Sequence, residues 1–127
     1  MKIIYIAGKY RAKHPYLVQE NIDKAKELAK QVWAAGHAAI CPHLNSINFE
    51  GLNTEQHFID GTLELMRRCD AVLLVPGWKL SEGTLGEIKE AKRLEIPVFK
   101  ELDECFKSLS DSNFKNNTFG WYGLPEQ

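Results

Sequence analysis

Glu87 is the side chain of this sequence whose setting most suggests chemistry. It follows Gly83 and Thr84 at the start of a segment with helical periodicity, and a carboxylate near a helix N-terminus is held ionised by the helix dipole. An ionised carboxylate can act as a nucleophile or stabilise a developing positive charge. The same spacing also fits a capping box, with Thr84 as N-cap and Glu87 reaching back to its backbone N–H. Spacing alone does not choose between these interpretations.

The residues before Glu87 are typical of a loop that contacts a ligand. Gly83 and Gly86 let the backbone approach a bound molecule, Ser81 adds a hydroxyl, and the N–H groups at a helix start bind anions such as phosphate. A plain strand-to-helix turn is the alternative. Neither GxxxxGK[ST] nor GxGxxG occurs, so the segment is not a Walker A or dinucleotide fingerprint.

A second group of candidates lies at the start of the chain. Lys9 and Arg11 follow an apolar run and could bind a phosphate, Arg with its planar fork and Lys as a point charge. Surface cations are the alternative for both. Tyr5, near the end of the same run, could hydrogen-bond a carboxylate or simply pack in the core.

Residues 42–53, PHLNSINFEGLN, are polar and without period. Loops of this length in compact domains are usually functional or disordered. We predict a lid, and we expect its His43 and Asn45 to contact the substrate.

These candidates must be positioned by strands and helices that alternate along the chain. Residues 71–75 are uninterruptedly apolar, which is typical of a parallel strand buried on both faces, and ligands bind beyond the carboxyl ends of such strands. The other predicted strands are 2–7, 37–41 and 97–99, and the predicted helices are 17–35, 54–68, 82–94 and 103–109. The pattern predicts a three-layer α/β/α sandwich with four or five parallel strands, flavodoxin-like or Rossmann-like.

The composition limits the possible partners. The 127 residues suit one domain, and a formal net charge of −1 argues against general attraction to nucleic acid or anionic membranes. Three scattered cysteines, no signal peptide and no long apolar segment predict a cytoplasmic protein. Cys41, His43 and His57 match no standard zinc spacing, so we expect neither a metal nor a cofactor.

We predict one nucleotide-binding domain over residues 1–110 and a tail over 111–127. The tail is polar but carries Phe114, Phe119, Trp121 and Tyr122, and a freely disordered tail seldom carries so many aromatic residues. We therefore expect it to dock on its own domain or across a dimer interface.

Four segments carry a resemblance to a known group of proteins. They read IYIAGKYR, RCDAVLLVPGW, SEGTLGEIKEAK and LEIPVF, and together they cover most of residues 2–100. In order and spacing the chain resembles the nucleoside 2-deoxyribosyltransferase superfamily. That superfamily includes nucleoside 5′-monophosphate N-glycosidases and related small bacterial and phage domains of unassigned function.

The resemblance implies roles for particular residues. Glu87 would be the nucleophile that attacks C1′ of the sugar and forms a covalent glycosyl-enzyme, and Tyr5 would orient it. The branch that cleaves monophosphates implies phosphate binding by Gly8, Lys9, Arg11, Ser81 and Gly83, and Trp78 at the end of the second segment is counted with the substrate-binding residues. The implied partner is a nucleotide or nucleoside, and the implied assembly is a homodimer or higher homo-oligomer.

One position departs from the superfamily pattern. An Asp that protonates the departing base commonly lies eight residues before the Asp opening the third strand, and that position here is Thr62, counted from Asp70. Asp60 is the nearest carboxyl group, but two residues turn a helix by about 200°, so it would need a shifted helix start. We count Asp60 as a candidate catalytic acid, with His43 and His57 as others. The alternative function is a nucleotide-binding or sensing domain without catalysis.

Overall fold

Strands and helices alternate through the chain in the computed structural model, which describes residues 1–110 and 121–122. The strands are β1 (Ile3–Ala7), β2 (Ala38–Ile40), β3 (Ala71–Leu74), β4 (Val98–Phe99) and β5 (Trp121–Tyr122). The helices are α1 (Pro15–Ala34), α2 (Pro42–Asn45), α3 (Glu55–Arg67), α4 (Glu82–Arg93) and α5 (Leu102–Leu109), with a 3-10 turn at Trp78–Leu80.

The strands form one parallel sheet in the order β2-β1-β3-β4-β5. This is the flavodoxin-like order, in which the chain reverses its direction of winding between β1 and β3. Tyr5 of β1 lies in register with Val72 of β3 on one side and with Ile40 of β2 on the other. Helices leave β1 and β3 toward opposite faces, so a crevice opens beyond the carboxyl ends of these two strands.

Two separate cores confirm the predicted three-layer α/β/α sandwich. Because side chains alternate across a strand, β1 supplies Ile4 and Ile6 to one face and Tyr5 and Ala7 to the other. The first core also contains residues of α1 and α5, and the second contains residues of α3 and α4. Tyr5 therefore lies in the layer that carries Glu87.

The predicted helices and strands are present, with shifted ends. Thr54 caps α3 by accepting a hydrogen bond from the His57 N–H at 3.1 Å, and Gly36 follows α1 with φ of +91°. The segment predicted as a lid begins with the single turn of α2. Pro42 at the first helical position and the Cys41 carbonyl, which accepts from Leu44 and Asn45, initiate that turn.

The predicted tail lies mostly outside the described residues. Within it, Trp121–Tyr122 form β5 and pair in parallel with β4. Residues 111–120 and 123–127 are outside the described part of the chain, so the docked tail stays a prediction, as does the domain boundary near residue 110.

Gly8 is required by close packing. A Cβ at Gly8 would lie 2.5 Å from Cβ and 2.7 Å from Cγ2 of Val75, closer than carbon atoms can approach. Its φ is not among the positive ones, so backbone conformation is not what makes a glycine necessary here. The absence of a side chain lets the backbone after β1 lie directly on the end of β3.

We expect Gly8→Ala to destabilise the protein by about 1–3 kcal/mol through overpacking. The control is Gly61→Ala on α3, where an added Cβ meets nothing within 4 Å and alanine should stabilise the helix by about 0.5–1 kcal/mol. Urea midpoints of both variants measure the difference. Equal midpoints for the two variants would contradict the packing argument.

Candidate active site

Glu87 lies in the second turn of α4 and is not part of a capping box. The helix begins at Glu82, and its N-cap is Ser81, whose Oγ accepts hydrogen bonds from the Thr84 N–H at 3.2 Å and the Thr84 hydroxyl at 3.0 Å. The interpretation with Thr84 as N-cap is therefore wrong. With the cap supplied elsewhere, the Glu87 carboxylate is free to turn toward the sheet.

Tyr5 is the residue that Glu87 reaches. The Tyr5 side chain is fully buried in β1, and its hydroxyl donates a hydrogen bond to Oε2 of Glu87. Burial raises the pKa of Tyr5 far above its usual range and the Glu87 carboxylate raises it further, while the nearby Thr62 side chain of α3 opposes the shift. Tyr5 therefore keeps its proton at every physiological pH and serves as a fixed donor.

Burial raises the pKa of Glu87 to about 7, although the hydrogen bond from Tyr5 lowers it. The dipole argument from the sequence predicted an ionised carboxylate. In the second turn of α4 the carboxylate is beyond the N–H groups of the first turn, where the dipole acts most strongly, and loss of hydration has the larger effect. The Glu87 carboxyl group is therefore expected to titrate near neutral pH.

An ion-pair cluster ties α4 to α3 one turn beyond Glu87. Glu90 accepts hydrogen bonds from Arg67 of α3 at 3.0 Å and from Arg93 at 2.7 Å. These bonds lower the pKa of Glu90 to about 2. Exposed ion pairs contribute little stability, so the cluster matters mainly because it fixes the register of the helices that carry Thr62 and Glu87.

Three of the predicted binding residues follow the carboxyl ends of neighbouring strands. Gly8 follows β1, His43 follows β2 and Trp78 follows β3. His43 is only 5% exposed, and its Nε2 lies 2.9 Å from the Lys9 carbonyl oxygen. Because a carbonyl can only accept, Nε2 carries the proton, and the buried Nδ1 has no partner among the described residues.

His43 thus holds the backbone that follows β1. Burial lowers the pKa of its imidazole, although hydrogen bonding to the Lys9 and Gly8 backbone opposes the shift. The neutral ring also meets Tyr10 edge-on, with centroids 5.7 Å apart. His43 is placed to orient the loop that carries Lys9.

Arg11 is exposed and forms an ion pair with Glu55 in the first turn of α3. Burial, followed by the charge of Glu50, raises the pKa of Tyr10. The loop after β1 is therefore tied to the segment between β2 and α3 at several points. Asn45, the last residue of α2, is exposed.

The structure does not bring Asp60 to the Tyr5–Glu87 pair. Asp60 is exposed on α3 and accepts a hydrogen bond from the Gln56 side chain at 2.9 Å. Thr62, two residues further along α3, lies close enough to the Tyr5 hydroxyl to influence its pKa.

The remaining predicted residues lie around the start of α4. Trp78 is buried in the second core, with the Lys79 ammonium 5.6 Å from its ring. Ser81 is engaged as the N-cap, and Gly83 is exposed in the first turn with only the Ser81 Oγ, at 3.9 Å, near the position of an added Cβ.

Glu50 and Glu55 are acidic partners of the loop after β1 that sequence reasoning missed. Glu50 lies within the predicted lid and Glu55 just after it, and neither position carries a local signal of its pairing. A cleft of about 490 Å³ also opens beside this loop, between the first turns of α1 and residues 47–50. It is lined by Tyr10, Lys13 and His14 and not by Glu87 or Tyr5, so it is separate from the carboxylate site.

Two further observations concern ligands and membranes. Within residues 1–110 and 121–122, no group of three or more His, Cys, Asp or Glu side chains is placed to hold a metal ion. No helix in the described part of the chain has the length and apolar character needed to cross a bilayer.

Solved structures with the same fold define the class of this protein. A 2-deoxyribosyltransferase from Bacillus psychrosaccharolyticus matches 96% of this chain and 93% of its own, with a TM-score of 0.56 at 16% identity. A conserved protein from Enterococcus faecalis V583 matches 94% of this chain and 80% of its own, with a TM-score of 0.61 at 19% identity. The chain thus has a 2-deoxyribosyltransferase-like α/β fold, which confirms the resemblance seen in the sequence.

Within that class, the chain belongs to the family described as a domain of unknown function, DUF7768, whose model matches residues 2–101. No curated protein matches the chain in sequence.

Proposed function

We propose that this protein cleaves or transfers the N-glycosidic bond of a (deoxy)nucleotide or nucleoside through a covalent glycosyl–Glu87 intermediate. The observation that carries the proposal is the hydrogen bond from the buried Tyr5 hydroxyl to Oε2 of Glu87. It fixes a carboxylate beside the crevice between β1 and β3, where ligands of this sheet order bind.

The hydrogen bonding of Glu87 suits a carboxylate that first attacks C1′ as a nucleophile and later departs from C1′ as the leaving group. Tyr5 occupies Oε2, so Oε1 is available to attack C1′ while the C1′–N bond breaks and its electron pair goes to the base. The product is a glycosyl ester, which water or a second base then attacks at C1′. As the ester breaks, the Tyr5 hydroxyl stabilises the carboxylate that re-forms.

For substrate binding we propose that Gly8, Lys9, Arg11, Ser81 and Gly83 hold a 5′-phosphate, with His43, Asn45 and Trp78 bordering the sugar and base. His43 supports this role for the loop because it holds the Lys9 carbonyl. Arg11 is paired with Glu55, so a bound phosphate would have to replace that carboxylate.

The test is incubation with a panel of nucleotides and nucleosides, followed by chromatography of free base and intact mass of the protein. We expect base release from at least one member of the panel and a transient mass increase of one sugar or sugar phosphate. A panel with no base release and no adduct would overturn the proposal.

A second candidate is a nucleotide-binding domain without catalysis. The observation that favours it is Thr62, a residue with no acidic proton, beside Tyr5 where an acid could serve the departing base, while Asp60 is hydrogen-bonded to Gln56. Calorimetric binding of a nucleotide in micromolar amounts with no base release would support this candidate, and detectable base release would exclude it.

We also propose that the chain forms a homodimer or higher homo-oligomer, on the resemblance alone. Light scattering on a purified sample measures the assembly directly, and a monomer at working concentration would contradict it.

A further inference from the structure

We propose that the preferred substrates of this site carry a positive charge on the base, so that the leaving group is a cationic heterocycle such as an N-alkylated purine or a pyridinium ring. The inference rests on the proposed function, because it names the substrate class of the same carboxylate. Two features carry it: a largely desolvated carboxyl group without a cationic partner, and the hydrogen bonds that already hold the neighbouring protons.

The first feature is the charge environment of Glu87. Within the described residues, its hydrogen-bond partner is the neutral Tyr5 hydroxyl, and no Lys, Arg or His forms an ion pair with it. The neighbouring Glu90, by contrast, has two arginine partners. An ionised carboxylate that is partly removed from water and has no counter-charge is costly, and a nearby cation favours its ionised form.

A positively charged substrate would therefore supply the counter-charge that the protein does not give Glu87. Its charge would favour the ionised form of Glu87, which is the form that attacks C1′. Binding of such a substrate and activation of the nucleophile would then be the same event, whereas a neutral substrate would leave Glu87 partly protonated near neutral pH.

The second feature is where the protons beside the carboxylate point. The Tyr5 proton is donated to Glu87, and the Thr62 hydroxyl donates to the Ile59 carbonyl at 2.9 Å. The third group is the Cys69 thiol, which lies on the same core face and interacts with Tyr5.

These groups are poor proton donors to a substrate. Burial raises the pKa of Cys69 to about 12, and its thiol donates to the Leu65 carbonyl at 3.3 Å. Burial and Glu87 raise the pKa of Tyr5 above its usual range. A neutral base must be protonated to leave well, and a general acid typically contributes about 10²–10⁴-fold to such a step.

A cationic base needs no such proton. Glu87 forms the C1′–O bond, the C1′–N bond breaks, and its electron pair neutralises the charge of the ring, which departs as a neutral molecule. Water then attacks C1′, the carboxylate leaves, and the proton of the water goes to solvent. The net reaction consumes one water and releases one proton.

The test compares 7-methylguanosine 5′-monophosphate with guanosine 5′-monophosphate, which share sugar and phosphate and differ by one methyl group and one charge. Both are used in ribose and 2′-deoxyribose forms. Each kcat/KM for base release is divided by the spontaneous rate, which removes the intrinsic lability of the methylated base. We expect the acceleration to be about 100-fold greater for the cationic member, the contribution that a general acid would otherwise make to the neutral one.

A pair of variants tests the cause. Thr62→Asp places a carboxylic acid beside Tyr5 and should lower the cationic-to-neutral ratio by about tenfold or more. Thr62→Asn, of similar size but without an acid, is the control, and an equal fall in both variants would overturn the assigned cause.

The outcomes separate the two proposals. Equal acceleration of both nucleotides by the wild-type protein overturns the substrate preference and leaves the proposed function standing. Release of neither base overturns the substrate preference, and it overturns the proposed function itself when the whole panel of nucleotides and nucleosides also gives no base release and no glycosyl adduct.

Discussion

Replacing Glu87 by glutamine is expected to reduce base release by about 10⁴-fold or more, because an amide oxygen cannot serve as the nucleophile. Glutamine has the size of glutamate, and its carbonyl oxygen can still accept the hydrogen bond that Tyr5 donates to Glu87. The loss would therefore report on chemistry and not on packing. It is measured as kcat/KM for base release, together with disappearance of the glycosyl adduct from the intact mass.

The matched control for this variant is Glu104→Gln. Glu104 is an exposed residue of α5, in the layer on the opposite face of the sheet. It should keep wild-type turnover, since no part of the proposed site includes it. Base release that survives in Glu87→Gln would show that another group is the nucleophile.

Stability should depend on pH through Glu87. Its pKa is raised from 4.5 to about 7 in the folded protein, so between these values the folded state binds a proton that the unfolded state has lost. The contribution of Glu87 to the free energy of unfolding is therefore largest below about pH 4.5. It falls by about 3 kcal/mol as pH rises to 7. Above that pH both states are deprotonated and the penalty is constant.

Urea unfolding of the wild type and of Glu87→Gln at pH 5, 6, 7 and 8 measures this effect. The variant lacks the titration, so its advantage over the wild type should grow by about 2–3 kcal/mol from pH 5 to 8. Burial lowers the pKa of His43, so its titration makes the folded protein more stable as pH rises, which is the opposite of the Glu87 effect. The His43 contribution is the same in the wild type and in Glu87→Gln, so it cancels when the two are compared. If the free energies of unfolding of the wild type and the variant change with pH in parallel, the raised pKa of Glu87 is contradicted.

The same titration should appear in catalysis. If the ionised carboxylate is the nucleophile, kcat/KM for a neutral substrate rises with pH and levels off above about 7, where Glu87 is deprotonated in the free protein.

The fold was predictable because its signals are local. The apolar run from Ala71 and the helical periodicity on either side of it indicate a parallel sheet between helix layers, and the structure has that sheet. The single turn of α2 was not predicted, because one turn is too short to show a period. The turn depends on Pro42 and on the Cys41 carbonyl, and neither gives a helical signal in a polar segment without period.

The site was less accessible to sequence reasoning. The glycines and hydroxyl residues before Glu87 indicated that it could be functional. The spacing could not show that Ser81 caps the helix, so it did not determine where the carboxylate points. Its partner Tyr5 lies 82 residues away and read equally well as a core residue. The pairing of Arg11 with Glu55 had no local signal, because an acidic residue in a first helical turn is ordinary.

Tyr5 and Glu87 contribute to the protein in opposite ways. Tyr5 is among the largest fully buried side chains, so a related chain without the proposed activity would still keep it for packing. Glu87 is a largely desolvated acid that lowers stability near neutral pH, and in a chain without the proposed catalysis, mutation would tend to replace it. Among related chains, the glutamate should therefore distinguish working enzymes from inactive binders, and the tyrosine should not.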